Sequence, residues 1–105
     1  MFLFFDTETT GLPQRWNAPV TDVDNWPRLV QLAWIMCDEK GNIIEERSDI
    51  VKPEGFAIPA EASRVHGITT LKAQEEGKDL LSILEIFSDK MDSAFALIGH
   101  NISFD

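Results

Sequence analysis

The sequence predicts an α/β domain whose sheet is partly antiparallel. Three observations carry this. The chain opens on an unbroken apolar run, MFLFF, that ends in Asp6. Two further apolar runs, Leu29 to Asp38 and one beginning at Ile43, are separated only by Glu39-Lys40-Gly41-Asn42. Leu80, Ile83, Leu84, Phe87 and Met91 then recur at helical spacing and lead into a fourth run, Phe95 to Gly99.

Phe2 to Asp6 is too short for a buried helix and reads as a strand covered on both faces. LVQLAWIMCD and IIEERSDIVKP, joined across a Gly/Asn turn signal, read as an antiparallel hairpin. Pro59 suits the start of a short helix and Gly67 its exit, so PAEASRVHG is a helix of one or two turns. Thr69 to Glu76 reads as a second short helix, ended by Gly77. The third, from about Lys78 to Met91, carries the clearest apolar stripe, and that stripe is core rather than a cofactor box. A strand reached through a helical crossover should pair parallel to an earlier one, which makes Phe95 to Gly99 a parallel partner. Beyond it, Asn101 or Ser103 could cap a helix.

A length of 105 residues bounds the chain to one domain at most. A formal charge of −9 argues against a broad basic surface that grips nucleic acid by charge alone. It leaves room for a nucleic-acid enzyme, because bound cations offset carboxylates locally. Cys37 is the single cysteine, so no intrachain disulfide forms, which fits a reducing, cytoplasmic setting. MFLFF is too short for a signal-peptide core, and no run reaches transmembrane length, so no membrane association is expected.

The chemistry is concentrated where the first strand ends. Side chains two apart on a strand leave from the same face, roughly 7 Å apart along it. Asp6 and Glu8 therefore point the same way and repel unless a cation sits between them. Hard divalent ions take oxygen ligands of this kind. A lone Asp-x-Glu is more often a solvated strand end. Here the full string DTETTGL is present, and a second apolar-to-acid junction, GHNISFD, closes the chain at Asp105. Between the first strand and the hairpin, residues 13 to 28 form a long polar loop with Trp16 and Trp26 inside it. Pinning the loop to the body is the more economical role for these indoles; stacking on a base is the alternative.

FDTETTGL, VHGIT and GHNISFD, in that order, resemble the first half of the DnaQ-like 3′–5′ exonucleases of the DEDD superfamily. The proofreading (epsilon) subunit of bacterial DNA polymerase III is a member. The resemblance spans the whole chain and implies a ribonuclease-H-like fold: a mixed sheet with three antiparallel strands first and the fourth parallel to the first. It implies two divalent cations, Mg²⁺ or Mn²⁺, held by Asp6, Glu8 and Asp105 as catalytic ligands. It also implies a pocket for the terminal nucleotide, formed by Thr9, Thr10, Leu12, His66 and Phe104, with plain packing an equal alternative for His66. His100 would hydrogen bond at the strand end. The implied reaction releases nucleoside 5′-monophosphates one at a time from a single-stranded or frayed DNA 3′ end, with a DNA polymerase as a partner.

The family's third motif, which carries a fourth acid and a general-base histidine, has no counterpart after Asp105. The chain is therefore expected to be the N-terminal portion of one exonuclease domain, residues 1–105, lacking the last helices and strand. On its own it should show negligible activity, weak metal binding and self-association through uncovered apolar surface. Two other readings compete. A binding module for nucleic acid or a polymerase could keep the fold without the chemistry. A haloacid-dehalogenase-type phosphatase also places acids after an apolar strand, but its second acid is Asp and a parallel doubly wound sheet follows.

Overall fold

The computed structural model describes residues 1–105 and contains four strands and three helices. Strand β1 spans Phe2–Thr9, β2 Leu29–Cys37, β3 Ile43–Ile50 and β4 Ala96–Ile98. The sheet order is β3-β2-β1-β4. β1 pairs antiparallel with β2, β2 antiparallel with β3, and β1 parallel with β4. This is the mixed sheet anticipated from the order of apolar runs. The hairpin β2–β3 follows β1 directly, so the doubly wound arrangement of a dehalogenase-type phosphatase is absent.

β1 runs four residues further than the apolar run, to Thr9. Its acids remain in the ladder because Asp6 pairs with Ala33 and Glu8 with Gln31. Pairing is a backbone property, so polar side chains on an open face do not end it. β3 stops at Ile50, sooner than the apolar pattern suggested. Val51 N–H still donates to the Val30 carbonyl at 2.8 Å, and the chain then meets the segment before α3, where Lys52 N–H donates to the Lys78 carbonyl at 2.9 Å.

The helices are α1 at Ala60–His66, α2 at Thr70–Glu76 and α3 at Leu80–Ser93. α1 ends as expected on Gly67 in the left-handed region (φ 78°), whose N–H donates to the Ser63 carbonyl. Thr69 caps α2 by accepting from Lys72 N–H, and Asp79 caps α3 by accepting from Ser82 N–H. Gly77 ends α2 for a different reason than Gly67 ends α1. Its backbone is extended (φ −71°, ψ 149°). A Cβ there would collide with the Ala73 carbonyl oxygen and lie 2.5 Å from the Lys52 nitrogen.

All three helices lie on one side of the sheet. On that side Leu3, Leu32, Trp34, Met36, Val51 and Ile83 form one core cluster, with Phe5, Ile86 and Phe87 packed against it. Val30, Ile58, Ala62, Ile68 and Ala73 form a second under α1 and α2. The buried edge of α3 thus runs through Ile83, Ile86 and Phe87, while Leu84 and Met91, assigned to the core stripe from spacing, stay about 40% exposed. The opposite sheet face carries Phe4, Asp6, Glu8, Ala33, Ile35 and Ile98 and has no helix over it. Phe4 is 41% exposed and Ile98 36%. After β4 the backbone makes a single turn, with Phe104 and Asp105 N–H groups both donating to the Asn101 carbonyl.

Candidate active site

Strand alternation sorts the residues at the end of β1. Asp6 and Glu8 point to the open face, where Asp6, Phe4, Ile98 and His100 line a broad depression of about 790 Å³. Asp6 is exposed and Glu8 partly so. Thr7 pairs with the buried Leu32 and so points to the helix-covered side. There its hydroxyl donates to Asp105 Oδ1 at 2.6 Å.

The structure thus unites Asp6 with Glu8 and brings Asp105 to the residue between them, but from the other side of the strand. No group of three or more His, Cys, Asp and Glu side chains converges where an ion could be held. The shared three-carboxylate centre expected from the sequence is not assembled in this arrangement. The physical reason lies in two placements. Asp105 follows a single turn from β4 that brings it in on the helix side, and the period of the strand gives that side to Thr7.

The donor chemistry nevertheless suits a hard cation. Oδ2 of Asp105 is buried and has no hydrogen-bond partner. An unpaired buried carboxylate oxygen is costly unless a cation, a proton or water meets it. It sits against Gly99, where an added Cβ would lie 3.3 Å from it. The absence of a side chain at residue 99 makes this placement sterically open.

Of the residues assigned to the nucleotide pocket, His66 reaches the end of β1 from elsewhere in the chain. His66, at the last turn of α1, places Nε2 3.2 Å from the Thr9 carbonyl oxygen, while its Nδ1 accepts from Ile68 N–H at 3.1 Å. With Nδ1 as acceptor, Nε2 carries the proton and donates to Thr9. Thr9 Oγ1 donates to the Gly11 carbonyl at 2.7 Å, and Thr10 Oγ1 accepts from Arg28 N–H at 2.9 Å, which ties β1 to the start of β2. Leu12 projects from this turn, 72% exposed. Phe104 lies against Trp16, ring centroids 5.6 Å apart and planes at 57°. His100 makes no side-chain hydrogen bond, so the bond expected of it at the strand end is not formed; it opens onto the depression beside Asp6.

Residues 13 to 28 are ordered by a residue that composition alone did not single out. Asn25 is 6% exposed; its Oδ1 accepts from Arg15 N–H at 2.7 Å and its Nδ2 donates to the Arg15 carbonyl at 2.9 Å. The amide side chain imitates a strand partner and closes the loop on itself. Trp26 donates its indole N–H to the Pro19 carbonyl at 3.0 Å. Trp26 also lines an apolar cavity with Phe5, Thr7, Leu84, Phe104 and Asp105. Trp26 thus bonds within the loop and lines the cavity beside the body, while Trp16 stays 54% exposed against Phe104. Thr7 and Gly99 were missed. The alternation of Asp-x-Glu was enough to turn Thr7 inward, but its partner lies 98 positions away.

Comparison with known proteins fits this arrangement. No curated protein sequence matches the chain. Among solved structures, a product-bound exonuclease I superposes with a TM-score of 0.78 at 25% identity, over 99% of this chain and 23% of that one. E. coli exonuclease I with a 5cy-dA13 oligonucleotide gives 0.78 at 25%, over 99% and 21%. E. coli exonuclease I with a dT13 oligonucleotide gives 0.75 at 24%, over 95% and 20%. The chain spans about a fifth of the length of these proteins. The strand order and the parallel fourth strand are those of the ribonuclease-H-like exonucleases. The RNase T family model, described as Exonuclease, matches residues 3–105, and the chain belongs to that exonuclease family.

Proposed function

We propose that this chain forms the N-terminal part of a metal-dependent 3′–5′ exonuclease domain acting on single-stranded or frayed DNA ends. One observation carries the reading: Asp6 and Glu8 share the open face at the end of β1, in a chain of the exonuclease family. Two carboxylates on one strand face, with the Asp105 carboxylate one residue across, supply the oxygen donors that Mg²⁺ or Mn²⁺ prefers. When bound, such ions neutralise a scissile phosphate and lower the pKa of water.

The chain's own residues would bind and orient the DNA end. The turn at Thr9 and Thr10 is held in place by His66 and Arg28 and would present its surface to a terminal nucleotide. Leu12 offers an exposed apolar side chain to its base, and Phe104 an aromatic face. Unpaired ends enter more easily because a base must leave its stack first. Solved E. coli exonuclease I carries single-stranded oligonucleotides, which supports this substrate class.

The test pairs Mn²⁺ calorimetry with incubation of the chain and a 5′-labelled single-stranded oligodeoxynucleotide. Weak Mn²⁺ binding that is lost in Asp6→Ala is expected, with negligible shortening of the DNA by residues 1–105. Any shortening should start from the 3′ end. Absence of Mn²⁺ binding together with retained DNA affinity would favour the second reading, a binding module. The separation of Asp105 from Asp6 and Glu8 across the strand favours that reading.

A further inference from the structure

We propose that Trp16 is a base-stacking residue: the free face of its indole takes the base next to the terminal nucleotide of a single strand. The proposal rests on the single-stranded DNA reading above and extends the binding surface beyond the terminal-nucleotide pocket.

The three tryptophans differ in what they touch. Trp34 is 3% exposed in the core. Trp26 donates its N–H to the Pro19 carbonyl and lines the inner cavity. Trp16 is left 54% exposed. A single exposed apolar side chain needs no explanation by itself, but this one is held in place. Asn25, itself buried, accepts from Arg15 N–H at 2.7 Å and donates to the Arg15 carbonyl at 2.9 Å, which fixes the residue before Trp16. One position earlier, Gln14 N–H donates to the Asn25 carbonyl at 3.2 Å. Phe104 supports the indole from one side. A surface ordered in advance loses less freedom when a ligand lands on it.

The ring geometry says where a base can go. A base between two rings needs them parallel and about 7 Å apart, twice the stacking rise of about 3.4 Å. Trp16 and Phe104 are 5.6 Å apart with planes at 57°, so no base enters between them. A base stacks instead on the indole face turned away from Phe104, while Phe104 keeps the terminal one. Successive aromatic faces of this kind hold single strands whatever the base. A cation lies beside them in sequence. Arg15 has a guanidinium 67% exposed that gives one nitrogen to Asp22 at 3.2 Å. The rest of its N–H fork can meet a phosphate, in a chain whose net charge of −9 otherwise repels a polyanion. A held indole with a cation next to it fits a nucleotide better than an apolar protein patch.

The experiment titrates the ¹⁵N-labelled 105-residue chain in Mg²⁺, which offsets its negative charge, with a thymidine tetranucleotide and with an abasic strand of the same backbone. The thymidine strand should move the Trp16 indole N–H resonance and leave that of the buried Trp34 in place. The abasic strand should leave Trp16 unmoved. Trp16→Ala should weaken thymidine binding about tenfold without changing abasic binding. Trp16→Phe keeps an aromatic face and should lose about threefold or less. An unmoved Trp16 indole, or undiminished thymidine affinity in Trp16→Ala, overturns the proposal and leaves the single-stranded DNA reading standing. An equal shift with the abasic strand also overturns it, because the contact would then be with the backbone. A Trp16 resonance that moves with chain concentration and not with DNA assigns the indole to contact between copies and overturns it too. Failure of the native chain to bind either strand overturns the single-stranded DNA reading, and the proposal with it.

Discussion

His66 and Thr9, 57 residues apart, are joined by a contact of 3.2 Å from Nε2 to the carbonyl oxygen. The imidazole is fixed from its other side by Ile68 N–H, so one ring spans the gap between the end of α1 and the end of β1. His66→Ala would leave the Thr9 carbonyl and the Ile68 N–H unpaired in a partly buried place. At about 1 kcal/mol for each lost hydrogen bond, a destabilisation of about 2 kcal/mol is expected in urea unfolding. A change under about 0.5 kcal/mol would show that water replaces the ring without loss.

Asp49 gives the stability of the domain a pH dependence. Its side chain is 5% exposed and bonded to Arg47 and, at 2.9 Å, to Lys78. Burial pushes the carboxyl pKa up, but hydrogen bonds from Lys78 and Arg47 and their charges outweigh burial, and the pKa lies below the ordinary value. A depressed carboxylate contributes stability that is present above the unfolded pKa, about 3.9, and is lost as pH falls through the folded value. The melting temperature of the native chain should therefore exceed that of Asp49→Asn at neutral pH, and the gap should close below about pH 4. A gap that stays constant from pH 7 to pH 2 would assign the stabilisation to something other than charge.

The same carboxylate makes Lys78 more consequential than a surface lysine. Lys78→Met removes one of two cations from a buried acid and leaves Arg47 in place. Because Lys78 is itself 57% exposed, the loss is discounted from that of a fully buried pair to about 1–2 kcal/mol. Chemical denaturation at neutral pH reads this directly. A Lys78→Met chain as stable as the native one would mean that Arg47 alone satisfies Asp49.

Gly77→Ala should be among the most damaging single-methyl additions in the chain. The new Cβ would meet backbone atoms of Ala73 and Lys52, which cannot rotate away. Relief requires separating α2 from the segment that follows β3, and a cost of about 2–3 kcal/mol is expected. Gly41→Ala, with open space at its Cβ but a positive φ, provides the comparison for backbone strain without collision. Equal melting temperatures for the two variants would remove the steric explanation.

The uncovered sheet face should drive self-association. Phe4, Ala33, Ile35 and Ile98 lie together there, while Asp6, Glu8 and a net charge of −9 oppose contact between copies. Association should therefore strengthen with salt, which screens the repulsion and leaves the apolar attraction. Sedimentation velocity from 0.05 to 0.5 M NaCl measures this. Phe4→Ser with Ile98→Ser should return the chain to monomer at all salt concentrations. A native chain that stays monomeric throughout would show that the carboxylates suffice to protect this face.

The sequence by itself determined the elements, their pairing and the family. Apolar runs of strand length, a Gly/Asn turn and a helical stripe are local signals, and the order of the runs limits the topology to few choices. It also determined that Asp6 and Glu8 share a face, because the strand period is two. Only the tertiary structure decided which edge of α3 is buried, that Gly77 marks a collision rather than a turn, and that Asn25 closes the loop at 13–28. It alone decided where Asp105 reaches β1: at Thr7, on the helix-covered side. A contact between residues 98 positions apart depends on where a single turn after β4 emerges from the sheet, and no local spacing encodes that.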